Sequence, residues 1–268
     1  MALALAGAAG VRKSDTNPCP FDEDMLEYYR DLLAQYDVPY EEQRLYRGPN
    51  VSYTELADAL LAALGHEITA PDVVLLTYAV PDLHPLRVVS AYVNERLGGG
   101  AYSMALSEQG LRSPYTALQV ADAFHRSGRC DTALLLVLEQ TSLPYHDPLV
   151  HDTPLTETAA ALVLRSAPGP VAGPPWTGTP AELAAVLDAT DPDTVVVAGP
   201  WVEAGAAPRM VRSATGTYCT SVWLTLAEKP DLWRDNTSGI LLCDVDPRTG
   251  RAHAVRLDPA PTPGEAPR

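Results

Sequence analysis

Apolar residues along this chain keep two spacings in alternation. Near-continuous apolar runs at 73–78, 101–106, 133–138, 158–165 and 193–198 read as strands, those at 73–78 and 133–138 buried on both faces. Between the runs, apolar residues recur at helical spacing. Leu26, Tyr29, Leu32 and Leu33 do so over 24–34, and Leu56, Leu60, Leu61 and Leu64 over 54–64. Leu118, Val120, Ala121 and Phe124 repeat the pattern after the 101–106 strand. A strand is expected over 2–11 and a helix over 86–97. Short helices are expected over 180–187, with Thr179 as N-cap, and over 208–211. A helix over 217–227 buries Val222, Trp223 and Leu226. Gly65, the glycines at 98–100 and the Ser127-Gly128 pair stop three helices. The glycines at 98–100 do not lead into a helix, so they do not form a phosphate cradle. Two final strands, 238–244 and 252–257, pair across Asp246-Pro247-Arg248-Thr249-Gly250. Residues 37–50 and 139–154 read as polar loops, 167–179 as an exposed connection and the tail from Asp258 as disordered.

Helix and strand alternating in this way predict an α/β fold, with a mostly parallel sheet covered on both faces. The order helix, strand, helix, turn, helix, strand around 73–77 returns around 194–198. The chain thus divides into two pseudo-repeated halves, 1–166 and 180–257, forming one compact unit, with 258–268 as a tail. The centre of this organisation is 101–137, a strand, the turn Ser107-Glu108-Gln109-Gly110, a buried helix and a buried strand. Such a turn presents a side chain at a helix N-terminus, where the helix dipole favours an anion.

At 268 residues the chain is long enough for a sizeable core, and its net charge of −15 argues against nucleic acid and anionic membrane surfaces as partners. No apolar run is long enough to span a membrane. The first eleven residues lack a basic start, since Arg12 and Lys13 follow them, so a strand is expected there and not a signal peptide. Cys19, Cys130, Cys219 and Cys243 form no CxxC pair, which suits buried thiols in a reducing cytoplasm and not a disulfide or zinc framework. No cofactor is expected.

Five passages carry a resemblance. VSYTELADALLAALG (51–65) and DVVLLTYAVPDLHPLRVVSAYVNERLG (72–98) are two of them; ALQVADAFHRSGRCDTALLLVLE (117–139) is the third. DTPLTETAAALVLRS (152–166) and the stretch from TGTYCTSVWLTLAEK to AHAVRL (215–257) complete the set. Together they resemble the thiolase superfamily, and within it the ketoacyl synthase III-like condensing enzymes. The resemblance implies a layered α-β-α-β-α fold from two pseudo-repeated halves, the second shortened between Arg165 and Asp193. It also implies a cysteine nucleophile on the turn after the 101–106 strand, with a histidine and an asparagine from the second half polarising the thioester carbonyl.

The departures bear on function. The cysteine position falls near Ser107 and Glu108, or Leu111 if counted back from the helix. The histidine position is Gly199 and the asparagine position is Gly216. With all three groups missing, the resemblance points to a degenerate subunit, not catalytic alone, within an acyltransferase complex. The alkylquinolone synthase small subunit and the chain-length factor are such partners. By that likeness the chain pairs across 133–138 with a full-length, cysteine-bearing ketosynthase homologue, as a heterodimer or heterotetramer. It would shape the acyl pocket and dock an acyl carrier protein or acyl-CoA in secondary-metabolite or fatty-acyl biosynthesis. One alternative is acyl transfer, hydrolysis or decarboxylation through Ser107 or Glu108, with Ser113 as a further nucleophile candidate and His125 on the same helix. Glu108 reads first as a plug at the helix N-terminus, and otherwise as an acid/base or a carboxylate that mimics a malonyl group. The other alternative is a homodimeric scaffold or binding protein. His146, Asp147, His151 and Asp152 are weak metal candidates, loosely spaced around Pro148, and fit a solvated loop better. Cys219 reads as a small core residue.

Overall fold

The computed structural model describes residues 2–203, 207–234 and 236–259. In the first half the elements are β1 (Ala4–Lys13), α1 (Glu23–Ala34), α2 (Gln43–Arg47), α3 (Tyr53–Leu64), β2 (Val73–Tyr78), α4 (Val89–Arg96), β3 (Tyr102–Leu106), α5 (Ser113–Arg126), β4 (Thr132–Glu139), α6 (Pro148–His151) and β5 (Glu157–Arg165). Then come β6 (Val171–Ala172), β7 (Trp176–Gly178), α7 (Pro180–Asp188), β8 (Val195–Ala198), β9 (Met210–Arg212), α8 (Ser221–Glu228), β10 (Ile240–Val245) and β11 (Ala252–Asp258). Local chemistry sets several boundaries. Ser52 with Glu55, and Thr179 with Glu182, close reciprocal capping boxes at the starts of α3 and α7. Asp22 accepts from the Met25 amide to start α1.

The strands run in the order β3-β2-β4-β5-β1-β6-β11-β10-β8-β9, with β7 beside β11. The sheet is mixed, which corrects the mostly parallel expectation. β2 is parallel to β3 and β4, and β8 to β9 and β10, whereas β4–β5, β1–β5 and β10–β11 are antiparallel. The two-residue β6 pairs with both β1 and β11 and joins the halves.

Side-chain alternation along the strands builds the layers. On β4, Ala133, Leu135 and Val137 pack into one core with α5 and α8, and Leu134, Leu136 and Leu138 into another with α3 and α4. On β10, Ile240 and Leu242 face the same central core, and Leu241 and Cys243 face α7. The helices α5 and α8 are therefore buried between the two halves, with Tyr115 edge-on to Trp223 at 5.0 Å. Each buried leucine of these layers contributes about 1.5–3 kcal/mol of transfer free energy. This is the five-layer α-β-α-β-α arrangement that the resemblance implies.

Several expectations are corrected. The 133–138 run is not a pairing edge: β4 lies between β2 and β5 and is hydrogen-bonded on both sides. The strands at the two ends of the order are β3, which has β2 as its one neighbour, and the three-residue β9, which has β8. The connection over 167–179 carries β6 and β7, because Val171–Ala172 and Trp176–Gly178 find partners in β1 and β11. The stretch expected as a helix at 208–211 is instead β9, parallel to β8. The loops at 37–50 and 139–154 contain α2 and α6. Asp258 ends β11, and the rest of the expected tail from 260 onward lies outside the described residues.

Candidate functional site

The turn after β3 meets the second half at the N-terminus of α5. Glu108 has φ +61°, a left-handed backbone rarely taken by a residue with a side chain, and its carboxylate is exposed. It is therefore no plug in the helix start. Gly110 has φ +53° and lies so close to the second half that a Cβ there would meet Asp246 Oδ2 at 2.6 Å and Tyr218 Oη at 2.8 Å. A short 3₁₀ turn, Gly110–Arg112, leads into α5. Ser113 is fully buried and its Oγ has no hydrogen-bond partner among the described residues, so no base activates it. His125 sits in the last turn of α5, with Nδ1 at 2.7 Å from the Cys130 carbonyl oxygen, far from the N-terminal turn. Ser107 is half-buried.

Neither glycine position has room for the larger side chain expected there. Gly199 follows β8 and lies against Asp244, and a Cβ on Gly199 would fall inside the Asp244 carboxyl group. Asp244 is itself fixed: it accepts from Ser221 Oγ at the start of α8 and from the Val245 amide at 2.8 Å. Gly216 has φ +89°, and a Cβ there would come within 2.7 Å of the Pro154 carbonyl oxygen.

A carboxylate that the sequence pattern left unassigned holds the seam together. Glu139, at the end of β4, is buried and accepts from the backbone amides of Tyr218 and Cys219, both oxygens at 2.9 Å from the Tyr218 nitrogen. It also lies within hydrogen-bond reach of the Thr158 and Thr220 hydroxyls. These donors precede α8, so one first-half side chain anchors the start of a second-half helix. The signal in the sequence was an acid closing a continuous apolar run. Asp244 repeats it at the end of β10. Cys219 is buried, burial pushes its thiol pKa well up, and its Sγ lies 3.9 Å from the Gly110 carbonyl oxygen, so it is a core residue as expected.

Burial pushes Glu139, Glu157 and Asp244 each up to about 7, against the hydrogen bonds that favour their charged forms. Such groups hold protons in the folded state that the unfolded chain has already released. Stability from them is full below the ordinary carboxyl range and is lost as pH rises toward about 7. His253, which burial pushes down to about 4, acts in the opposite sense, as do His84 and His151, which burial also pushes down; Asp82, which burial pushes up, acts with the three acids. The urea midpoint is therefore expected to be lower at pH 7.5 than at pH 5.5; a higher midpoint at pH 7.5 would show these acids to be ionised throughout.

The metal candidates are close together but engaged with one another. His146 Nε2 pairs with Asp152 Oδ1 at 2.9 Å, and its ring stacks on His151 at 5.6 Å. Asp147 caps the Val150 amide and pairs with Arg248 at 2.8 Å. Among the described residues no group of three or more His, Cys, Asp or Glu could hold a metal ion. No helix among them is long and apolar enough to cross a membrane.

Two cavities touch the turn. One, of about 620 Å³, is mainly apolar and runs from Ala105 and Glu108 past Tyr53, Leu76 and Val89 to α1. The other, of about 570 Å³, opens at the seam between the halves and is lined by Glu108, Arg112, Tyr218, Asp246, Arg248, Arg251 and His253.

No protein-family profile and no curated protein matches the sequence. Solved structures do match. 3-Oxoacyl-(acyl carrier protein) synthase III, FabH, from Pseudomonas aeruginosa PAO1 aligns over 97% of this chain and 99% of its own, at TM-score 0.67 and 17% identity. AbyA1, a tetronic acid condensing enzyme, aligns over 96% and 99%, at TM-score 0.67 and 16% identity. OleA from Xanthomonas campestris aligns over 96% and 98%, at TM-score 0.62 and 13% identity. The chain thus has the thiolase-like fold, in the form seen in ketoacyl synthase III.

Proposed function

We propose that this chain is a subunit of a condensing enzyme that performs no condensation of its own and pairs along β3 with a cysteine-bearing ketosynthase homologue. The observation that supports the reading is crowding at the positions the resemblance assigns: no cysteine stands near Ser107 and Glu108, and a Cβ on Gly199, the assigned histidine position, would fall inside the Asp244 carboxyl group, while Gly216 stands at the assigned asparagine position. A glycine offers no side chain to polarise a thioester carbonyl, and an exposed carboxylate does not replace a thiolate as acyl acceptor. Two of the similar structures bear names that describe synthesis or condensation, which supports a place in acyl assembly.

The edge strand supports the pairing. Tyr102 is 60% exposed, and Leu86 and Val88, on the loop between β2 and α4, are 66% and 68% exposed. A partner strand added to β3 would lie beside the apolar cavity, so the partner and this chain would wall an acyl pocket together. Tyr102→Lys combined with Ala105→Lys places a charge on each face of the edge strand β3. The double variant is expected to lose at least about tenfold in affinity for the co-expressed partner while its own stability moves by less than about 1 kcal/mol. Unchanged affinity would exclude β3 as the interface; no complex from the parent chain would exclude the subunit reading.

A further inference from the structure

The seam cavity has a chemistry that the partner-subunit reading does not use. Arg112 enters it from the 3₁₀ turn before α5, and Arg248 and Arg251 enter from the turn between β10 and β11. Arg248 is held in place by Asp147 at 2.8 Å and lies over the Tyr218 ring at 5.6 Å. Arg112 and Arg251 form no salt bridge among the described residues, in a chain with 34 acids and 19 bases, although the Glu182 carboxylate lies within electrostatic reach of Arg251. Asp246 is committed inside the protein: Oδ1 accepts from Tyr218 Oη at 2.9 Å and from the Arg248 amide at 2.8 Å. Glu108 stands on the rim, exposed.

From this geometry we infer that the seam cavity binds the oxyanion head, phosphate or carboxylate, of a small ligand, gripped by Arg112 and Arg251 beside the fixed Arg248. Guanidinium forks match both heads in two-point geometry, and a volume of about 570 Å³ suits a small organic anion. His253 forms a wall of the same cavity, with Nδ1 3.0 Å from Thr177 Oγ1. Burial, and after it the charges of Arg112 and Arg251 working against Asp246, keep this ring neutral, so both arginine fields reach one wall.

The test is calorimetric titration of the full chain with inorganic phosphate and, separately, with malonate at low salt. At least one anion is expected to bind with a dissociation constant below about 1 mM. Arg112→Gln and Arg251→Gln are each expected to weaken it about tenfold, because each removes a charge-assisted pair. Glu108→Gln removes a repelling charge and is expected to tighten binding. Arg126→Gln, which takes the same charge from an arginine paired with Asp122 elsewhere on α5, should change it less than about twofold. Binding of phosphate alone assigns a phosphate ester, binding of malonate alone a carboxylate, and binding of both a site for either. The inference is overturned if neither anion binds by about 10 mM, or if Arg126→Gln weakens binding as much as the cavity variants do. Arg112 and Arg251 are exposed, so unfolding midpoints close to the parent's are expected for both variants.

Discussion

Glu139→Ala is expected to cost about 3–5 kcal/mol, a large fraction of the stability of a domain of this kind. The carboxylate is buried and accepts from the Tyr218 and Cys219 amides. Alanine leaves those amides without an acceptor in a closed site, and each unpaired buried donor costs about 1–3 kcal/mol. It also uncouples the end of β4 from the start of α8, so unfolding should cease to be a single cooperative step. Glu139→Gln is the discriminating companion. Its amide oxygen can keep the backbone donors, and its NH₂ can turn to the Thr158 and Thr220 hydroxyls, which accept as well as donate. A loss near about 1 kcal/mol is expected for it. Urea denaturation of both variants checks this; equal losses would mean that volume, not hydrogen bonding, sets the effect.

The second large effect is expected at Gly199. Gly199→Ala already places a Cβ inside the Asp244 carboxyl group, and Asp244 is held by Ser221 and the Val245 amide. Overpacking against a fixed buried group costs about 1–3 kcal/mol, and displacing a buried carboxyl from its donors adds to it. A loss of about 4 kcal/mol or more is expected, with Gly199→His failing to accumulate as folded protein. Asp244→Ala should relieve part of this, so the double variant with Gly199→Ala should be more stable than the sum of the two losses allows, by at least about 1 kcal/mol. Strict additivity would separate the two residues. Reinstalling Glu108→Cys, Gly199→His and Gly216→Asn together should yield no condensing activity, because Gly216 also lies at φ +89° against the Pro154 carbonyl.

Much of this fold was legible in the sequence. The apolar runs of β2 and β4 are near-continuous because both strands are buried on both faces, and their bounds were read within a residue. Stops at Gly65 and Ser127-Gly128 and the cap at Thr179 were equally local. What failed depends on contacts distant in sequence. The strand character of β6, β7 and β9 exists only because β1, β11 and β8 offer them backbone partners. An edge was misassigned to 133–138 because a hydrophobic run does not reveal where in a sheet it lies; strand order puts β4 inside and β3 and β9 at the two ends. Of the site, the sequence shows that no cysteine, histidine or asparagine stands at 108, 199 or 216, the positions the resemblance assigns. It did not reveal Asp244 filling the space at Gly199 or Glu139 clasping α8, because both acids arrive from strands far along the chain.

The most direct measurement of the central claim is native mass spectrometry of the tagged chain purified from its source, before and after exposure to an acyl thioester. The expected result is a one-to-one assembly of this 28.7 kDa chain with a cysteine-bearing ketosynthase homologue, the acyl adduct sitting on the partner alone. An adduct on this chain, abolished by Ser107→Ala, or a stable homodimer that carries no ketosynthase, would contradict it.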